Sequence, residues 1–134
     1  MTPFPLRIVT PDGIIFDGDA EELIVRTTTG DIGILAGHVN CVAPLGMGRA
    51  TVVIEGQRRY AACMGGLVSV LDGQTELLPT TFEWSETIDP HRAERSMQRA
   101  QTVLSDKDSS NTDIALAEAR MKRALVRQNV ASLK

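Results

Sequence analysis

The sequence predicts an α+β fold: an N-terminal antiparallel β-sandwich over residues 1–86, then a C-terminal α-helical hairpin over 87–134. Three observations lead there. Turn residues punctuate the first part about every 8–12 residues, with β-branched runs between them, the rhythm of a sandwich or barrel. From Pro90 the apolar period becomes helical. The charge divides at the same point. Residues 1–89 carry five basic and twelve acidic side chains, a net of −7, whereas residues 90–134 carry nine basic and five acidic, a net of +4. An acidic body with a basic end directs its two parts at different partners.

In chain order, LRIV leads to PDG, IIF to DGD and ELIVRT to TTG. ATVVI then leads to EG, YAAC to MGG and LVSVL to DG, and TELL precedes Pro79. Pro79 and the glycine-rich bends suit edges and corners. After them, Asp89 is a predicted N-cap and Pro90 a first helical residue. Ala93, Met97, Ala100 and Leu104 form one apolar stripe on a helix running to about Ser105. DKDSSN breaks it. A second helix is expected from Thr112 or Asp113, either of which can cap it. Its stripe is Ile114, Ala117, Met121, Ala124 or Leu125, and Gln128. Short side chains dominate both stripes, so the hairpin is predicted to pack closely, to be held only lightly, and to move between two arrangements.

Arg92, Arg95 and Arg99 share one helical face, and Arg120, Arg123 and Arg127 repeat the rhythm with Lys122 beside them. Each stripe is either a solvated basic face or half of a site for an anion. Nucleic acid fits poorly, because this end has no aromatic side chains for stacking and the body repels phosphate.

Catalytic and metal chemistry find little support. His38 and His91 are the only histidines, and no third or fourth ligand has metal spacing. GHVNC places His38 near Cys41 without an orienting third group. Cys41 and Cys63 sit among apolar neighbours and are expected to be buried free thiols. TTTGDIGILAGH lacks the ending of a phosphate loop, and LGMGRAT has only two glycines and precedes a strand. Both sets of glycines are expected to serve turns that need positive φ. DGDAEE lacks Ca²⁺-loop spacing and reads as a solvated strand edge. No segment approaches the ~20 apolar residues of a membrane span, and the N-terminus resembles neither a signal nor a transit peptide.

IVTPDGIIFDGDAEELIV, TTTGDIGILAGH, CMGGLVSVL and TIDPHRA, in that order, resemble the epsilon subunit of F-type ATP synthases over nearly the whole chain. The chain departs from the family in having Ala36 and Leu67 where proline and phenylalanine are usual, and in its TELLPTTFEW strand.

The resemblance implies a non-catalytic rotor subunit of the central stalk, its sandwich touching the gamma subunit and the c-ring. Thr29, Gly30, Asp31, Ile32 and His38 would belong to that contact region. It implies a hairpin that either folds down or extends along gamma to block ATP hydrolysis. There Arg95, Arg120 and Lys122 would meet acidic surfaces of the catalytic alpha/beta head. No cofactor is required, but some bacterial members bind one regulatory ATP through I/L-D-x-x-R-A. Ile88, Asp89, Arg92 and Ala93 supply that motif here. Glu83, Arg99, Arg123 and Arg127 would complete the site, the last two if the loop between the helices carries one extra residue. The expected location is the cytoplasmic side of a bacterial inner membrane, peripheral through the c-ring. The alternatives are an epsilon-like subunit of a second ion-translocating ATPase, or a β-sandwich adaptor outside the synthase.

Overall fold

A computed structural model describes residues 1–133. The chain divides into two compact units, Met1–Trp84 and Ser85–Lys134. The first holds ten strands: β1 (Phe4–Thr10), β2 (Gly13–Ala20), β3 (Glu22–Thr27), β4 (Gly30–Ile34), β5 (Cys41–Pro44), β6 (Met47–Ile54), β7 (Gln57–Met64), β8 (Leu67–Leu71), β9 (Gln74–Leu78) and β10 (Thr81–Trp84). One sheet has the order β2-β1-β9-β8-β5 and the other β10-β7-β6-β3-β4. This is the expected sandwich, with one departure: β1 and β9 pair in parallel, Leu6 opposite Thr75 and Ile8 opposite Leu77. Strands so far apart in sequence need no hairpin between them, so the antiparallel constraint of a short turn does not apply.

The core follows strand alternation. Phe4, Leu6 and Ile8 face in from β1, with Leu23 and Val25 from β3, Val68 and Val70 from β8, and Leu77 from β9, all buried. Two hairpins use paired positive-φ residues, Glu55–Gly56 and Asp72–Gly73, as two-residue turns with primed geometry require. The EG and DG signals of the sequence are therefore literal. The Glu21 carboxylate accepts the Gly56 N–H at 2.6 Å, which ties part of the DGDAEE run to the β6–β7 turn. The run otherwise lies on an edge strand and the corner after it, as expected. Phe82 and Trp84 meet edge-to-face at 4.9 Å, and the Arg59 guanidinium lies 3.8 Å from the Trp84 ring centroid. The single tryptophan is thus engaged in packing.

TELLPTTFEW is two strands, not one. Pro79, fully buried, ends β9 in one sheet, and β10 begins in the other. The Met64-Gly65-Gly66 bend passes against this corner, and Thr80 N–H donates to the Met64 carbonyl at 3.1 Å. Gly65 and Gly66 both have positive φ.

The second unit opens with a single 3₁₀ turn, Ser85–Thr87, followed by α1 (Pro90–Ser105) and α2 (Asn111–Ala131). Asp89 caps α1 as expected, and Ala93, Met97 and Ala100 are its buried stripe. The start of α2 differs from expectation. Ser110, not Thr112 or Asp113, is the N-cap. Its hydroxyl accepts the Asp113 N–H while the Asp113 carboxylate accepts the Ser110 N–H. This reciprocal box starts the helix earlier than either single cap. At the stripe's ambiguous position Ala124 is buried and Leu125 is 45% exposed. Val130 and Ala131 extend the buried face beyond Gln128.

Gly66 has φ +85°, and a Cβ there would lie 1.9 Å from the Leu78 carbonyl oxygen. Gly66→Ala should therefore cost about 2 kcal/mol or more, the left-handed strain adding to the clash. Urea denaturation of the full chain measures this, and an unchanged midpoint would show that the corner relaxes freely.

Candidate functional site

Thr29, Gly30 and Asp31 form the exposed β3–β4 turn, and Ile32 follows on β4, half-buried against the core. Buried Thr27 braces the turn. Its hydroxyl donates to the Gly30 carbonyl at 2.6 Å, and the Thr28 N–H donates to the Pro44 carbonyl at 3.1 Å. Arg26 and Asp31 stand directly opposite in the register, with Arg26 Nε donating to Asp31 Oδ1 at 2.5 Å. His38 does not join this turn. It lies past the other end of β4, about 13 Å along the strand at ~3.3 Å per residue.

The His38 loop has its own anchor. The Asp72 N–H donates to Asn40 Oδ1 at 2.8 Å, and Asn40 Nδ2 donates to Asp72 Oδ1 at 3.3 Å. His38 Nδ1 is 2.8 Å from the Val39 carbonyl, an acceptor only, so Nδ1 carries the proton. Cys41 Sγ is 4.0 Å from that nitrogen. A protonated Nδ1 already donating cannot take the thiol proton, so this pair is not a nucleophile and base.

The structure adds a surface the sequence reading passed over. On the β2-β1-β9-β8-β5 sheet, Val68, Val70 and Leu77 face the core, so Leu67, Leu71 and Leu78 face outward. Pro44, Leu67 and Leu78 stand in one cross-strand row. Val39, Val42 and Leu71 are 74%, 69% and 61% exposed beside it. A grouped apolar face of this kind marks an interaction site. The signal was present in LVSVL, whose outward phase carries Leu67 and Leu71 on either side of Ser69.

In the second unit, Gln128 Nε2 donates to Glu94 Oε2 at 2.7 Å. This bond links the two helices of the hairpin. Arg92, Arg95, Arg99, Arg120 and Lys122 are exposed, whereas Arg123 and Arg127 are half-buried. Ile88 and Ala93 are buried, so they act through packing. Asp89 Oδ1 accepts the N–H groups of His91 at 2.9 Å and Arg92 at 3.2 Å. Above all the Arg92 bond, with the charge of Arg95 assisting, holds this carboxyl below the usual carboxylate range. Glu83 belongs to the first unit, half-buried on β10 opposite Ala62. Among the described residues no cluster of three or more potential metal ligands occurs.

Both units match one family. The ATP synthase delta/epsilon chain β-sandwich domain aligns with residues 3–85, and the long α-helix domain of the same chain aligns with residues 86–132. The chain belongs to the ATP synthase delta/epsilon chain family. It is 43% identical to the ATP synthase epsilon chain of Ruminococcus albus over the whole of both chains. Identity to that of Bacillus velezensis is 41%, over 98% of each. The fold is shared with a chain of the Euglena gracilis mitochondrial ATP synthase OSCP/F1/c-ring structure (TM-score 0.84, 21% identity, all of this chain and 83% of that one). A chain of the Tetrahymena thermophila mitochondrial ATP synthase central stalk/c-ring structure gives TM-score 0.65 at 14% identity, covering 95% of each. Of the positions at which the chain departs from the family, Ala36 is half-buried against the core and Leu67 is 37% exposed. No helix among the described residues is long and apolar enough to cross a membrane.

The two thiols diverge from the expectation that both are buried. Cys63 is buried and its pKa is pushed up to about 12 by desolvation, whereas Cys41, on edge strand β5, is only half-buried. A raised thiol pKa means the unfolded chain ionises first, so stability falls as pH rises above the unfolded value of about 8.5. The native chain at pH 8 should react with a thiol reagent at Cys41 within minutes and at Cys63 only on unfolding. Cys63→Ala should remove the corresponding part of the stability loss above pH 9. Equal labelling of both thiols in the native state would contradict this assignment.

Proposed function

We propose that this chain is the epsilon-type rotor subunit of an ATP synthase, non-catalytic itself, whose sandwich docks on the gamma subunit and the c-ring. The observation that carries the reading is a family match spanning both units at full length, together with an exposed apolar sheet face that needs a partner. Two braced loop ends, at Thr29–Asp31 and at His38, would provide the polar contacts around that face. The location that follows is peripheral, on the cytoplasmic side of a bacterial inner membrane through the c-ring.

The hairpin would restrain ATP hydrolysis. Its helices meet through Ala93, Ala100, Ala117 and Ala124, so little apolar area holds it together. Its exposed cations, Arg95, Arg120 and Lys122 among them, suit an acidic surface on the catalytic head, an attraction that weakens with salt. The same hairpin would bind one regulatory ATP. Guanidinium forks of Arg92, Arg99, Arg123 and Arg127 suit a polyphosphate, and Asp89 would accept from the adenosine side. At a hundredfold excess over Kd, bound ATP would favour one hairpin state by about 2.7 kcal/mol.

Removing residues 88–134 should leave assembly with gamma and the c-ring intact and raise ATP hydrolysis by the complex. Unchanged hydrolysis would remove the regulatory role. Titration of the isolated chain with ATP by calorimetry should saturate near or below millimolar concentration and lose most of its affinity in Arg92→Ala. No saturable binding in the parent chain would end the nucleotide reading.

A further inference from the structure

LGMG, residues 45–48, is a motif that turn chemistry does not explain. Neither Gly46 nor Gly48 is among the positive-φ residues, against the expectation that these glycines serve strained turns. Both instead make room. A Cβ on Gly48, which is buried, would fall 2.6 Å from Arg26 Cβ and 3.1 Å from its Cγ. A Cβ on Gly46 would fall 3.5 Å from Arg26 Cγ and 3.2 Å from the Thr27 carbonyl oxygen. The Gly46 N–H donates to the Arg26 carbonyl at 3.0 Å, which fixes this close approach along the backbone as well.

The two glycines are thus the bed on which the Arg26 stem lies. From there Arg26 Nε reaches Asp31, its direct cross-strand partner on β4. About half of each side chain is exposed, 52% and 55%. An ion pair this exposed contributes little to fold stability, and glycine inside a strand weakens the strand. The arrangement therefore works slightly against the sheet, and its reason lies in what it does to Asp31.

We propose that Arg26 is the positioning residue of the β3–β4 contact loop. It holds the Asp31 carboxylate in one orientation by occupying Oδ1, and it offsets the negative charge there, while Gly46 and Gly48 allow it to lie across β6. A docking partner then meets a preset, nearly neutral pair in place of a free anion on a mobile tip. Thr27 braces the same turn from the buried side, so the loop is held from both faces. This rests on the reading above that Thr29–Ile32 touches the gamma and c-ring assembly.

The test uses the full-length chain, labelled away from this loop, titrated onto a purified gamma–c-ring complex. Arg26→Gln keeps the methylene stem over Gly48 and removes the charge. It should weaken binding about tenfold with an unchanged melting temperature, and Arg26→Lys should recover most of that loss. Arg26→Gln combined with Asp31→Asn should bind within about twofold of Asp31→Asn alone, because Arg26 acts through that carboxylate. Additive losses, or parental affinity in Arg26→Gln while Asp31→Arg fails to bind, would overturn the positioning role. Parental affinity in Asp31→Arg would instead remove the contact-loop reading on which it rests.

Discussion

Where the chain passes from one sheet of the sandwich to the other, two segments come too close for any side chain between them. Gly66 presses its backbone against the Leu78 carbonyl, and Pro79 is buried at the crossing. The position of β10 depends on that contact, since Thr80 takes its hydrogen bond from the Met64-Gly65-Gly66 bend. A sandwich needs its strands to change sheets somewhere. Here the change is made by a proline that ends one strand and a glycine that yields space, so the crossing is fixed by sterics.

The two units are assembled from different materials. The sandwich buries branched and aromatic side chains from strands brought together over long sequence separations, with Leu6, Ile8, Leu23, Ile34 and Leu77 fully enclosed. The second unit buries mostly alanines, with Met97, Ile88 and Val130, and has caps at both helix starts and the Glu94–Gln128 bond. Apolar stabilisation scales with area, so the first unit draws more of its stability from its core than the second does. That division matches the charge division: the sandwich is acidic and the hairpin is basic.

Much of this was legible in the residues. EG and DG fixed two hairpins, Asp89-Pro90 fixed the start of α1, and the alanine spacing fixed the faces of both helices. What escaped is instructive. The Ser110 cap was missed because every residue from Ser109 to Asp113 can cap, and only the reciprocal bond with Asp113 decides among them. Pro79 was legible as an edge or a corner, but only the fold shows that this corner is a change of sheet. Cys41 was expected to be buried because its neighbours are apolar, yet an edge strand leaves it half open. The outward leucines were in plain view in LVSVL, but a strand with Val68 and Val70 in one phase and Leu67 and Leu71 in the other does not say which phase faces the core. At Gly46 and Gly48 the sequence shows only small residues, and the arginine above them is invisible without the fold. Of the candidate nucleotide site, the motif was readable, but the division of labour within it was not. Ile88 and Ala93 are packing residues, and Asp89 is already engaged.

That engagement bears on how a nucleotide would have to lie. Asp89 accepts two backbone N–H groups through one oxygen, and its pKa is lowered first by the Arg92 bond. A lowered folded pKa means the cap stabilises the helix at every pH above the unfolded carboxyl value and fades only as pH falls through the depressed one. At physiological pH the group is therefore an anion that can accept but not donate. An anion beside a polyphosphate is repulsive, so Asp89 cannot face the phosphates. It suits ribose hydroxyls or an amino group of the base, both of which donate. The phosphates would then have to turn away from Asp89, toward the arginines of the hairpin. The residue that starts the helix would in this way also orient the ligand, and the two readings of the Asp-Pro step are compatible.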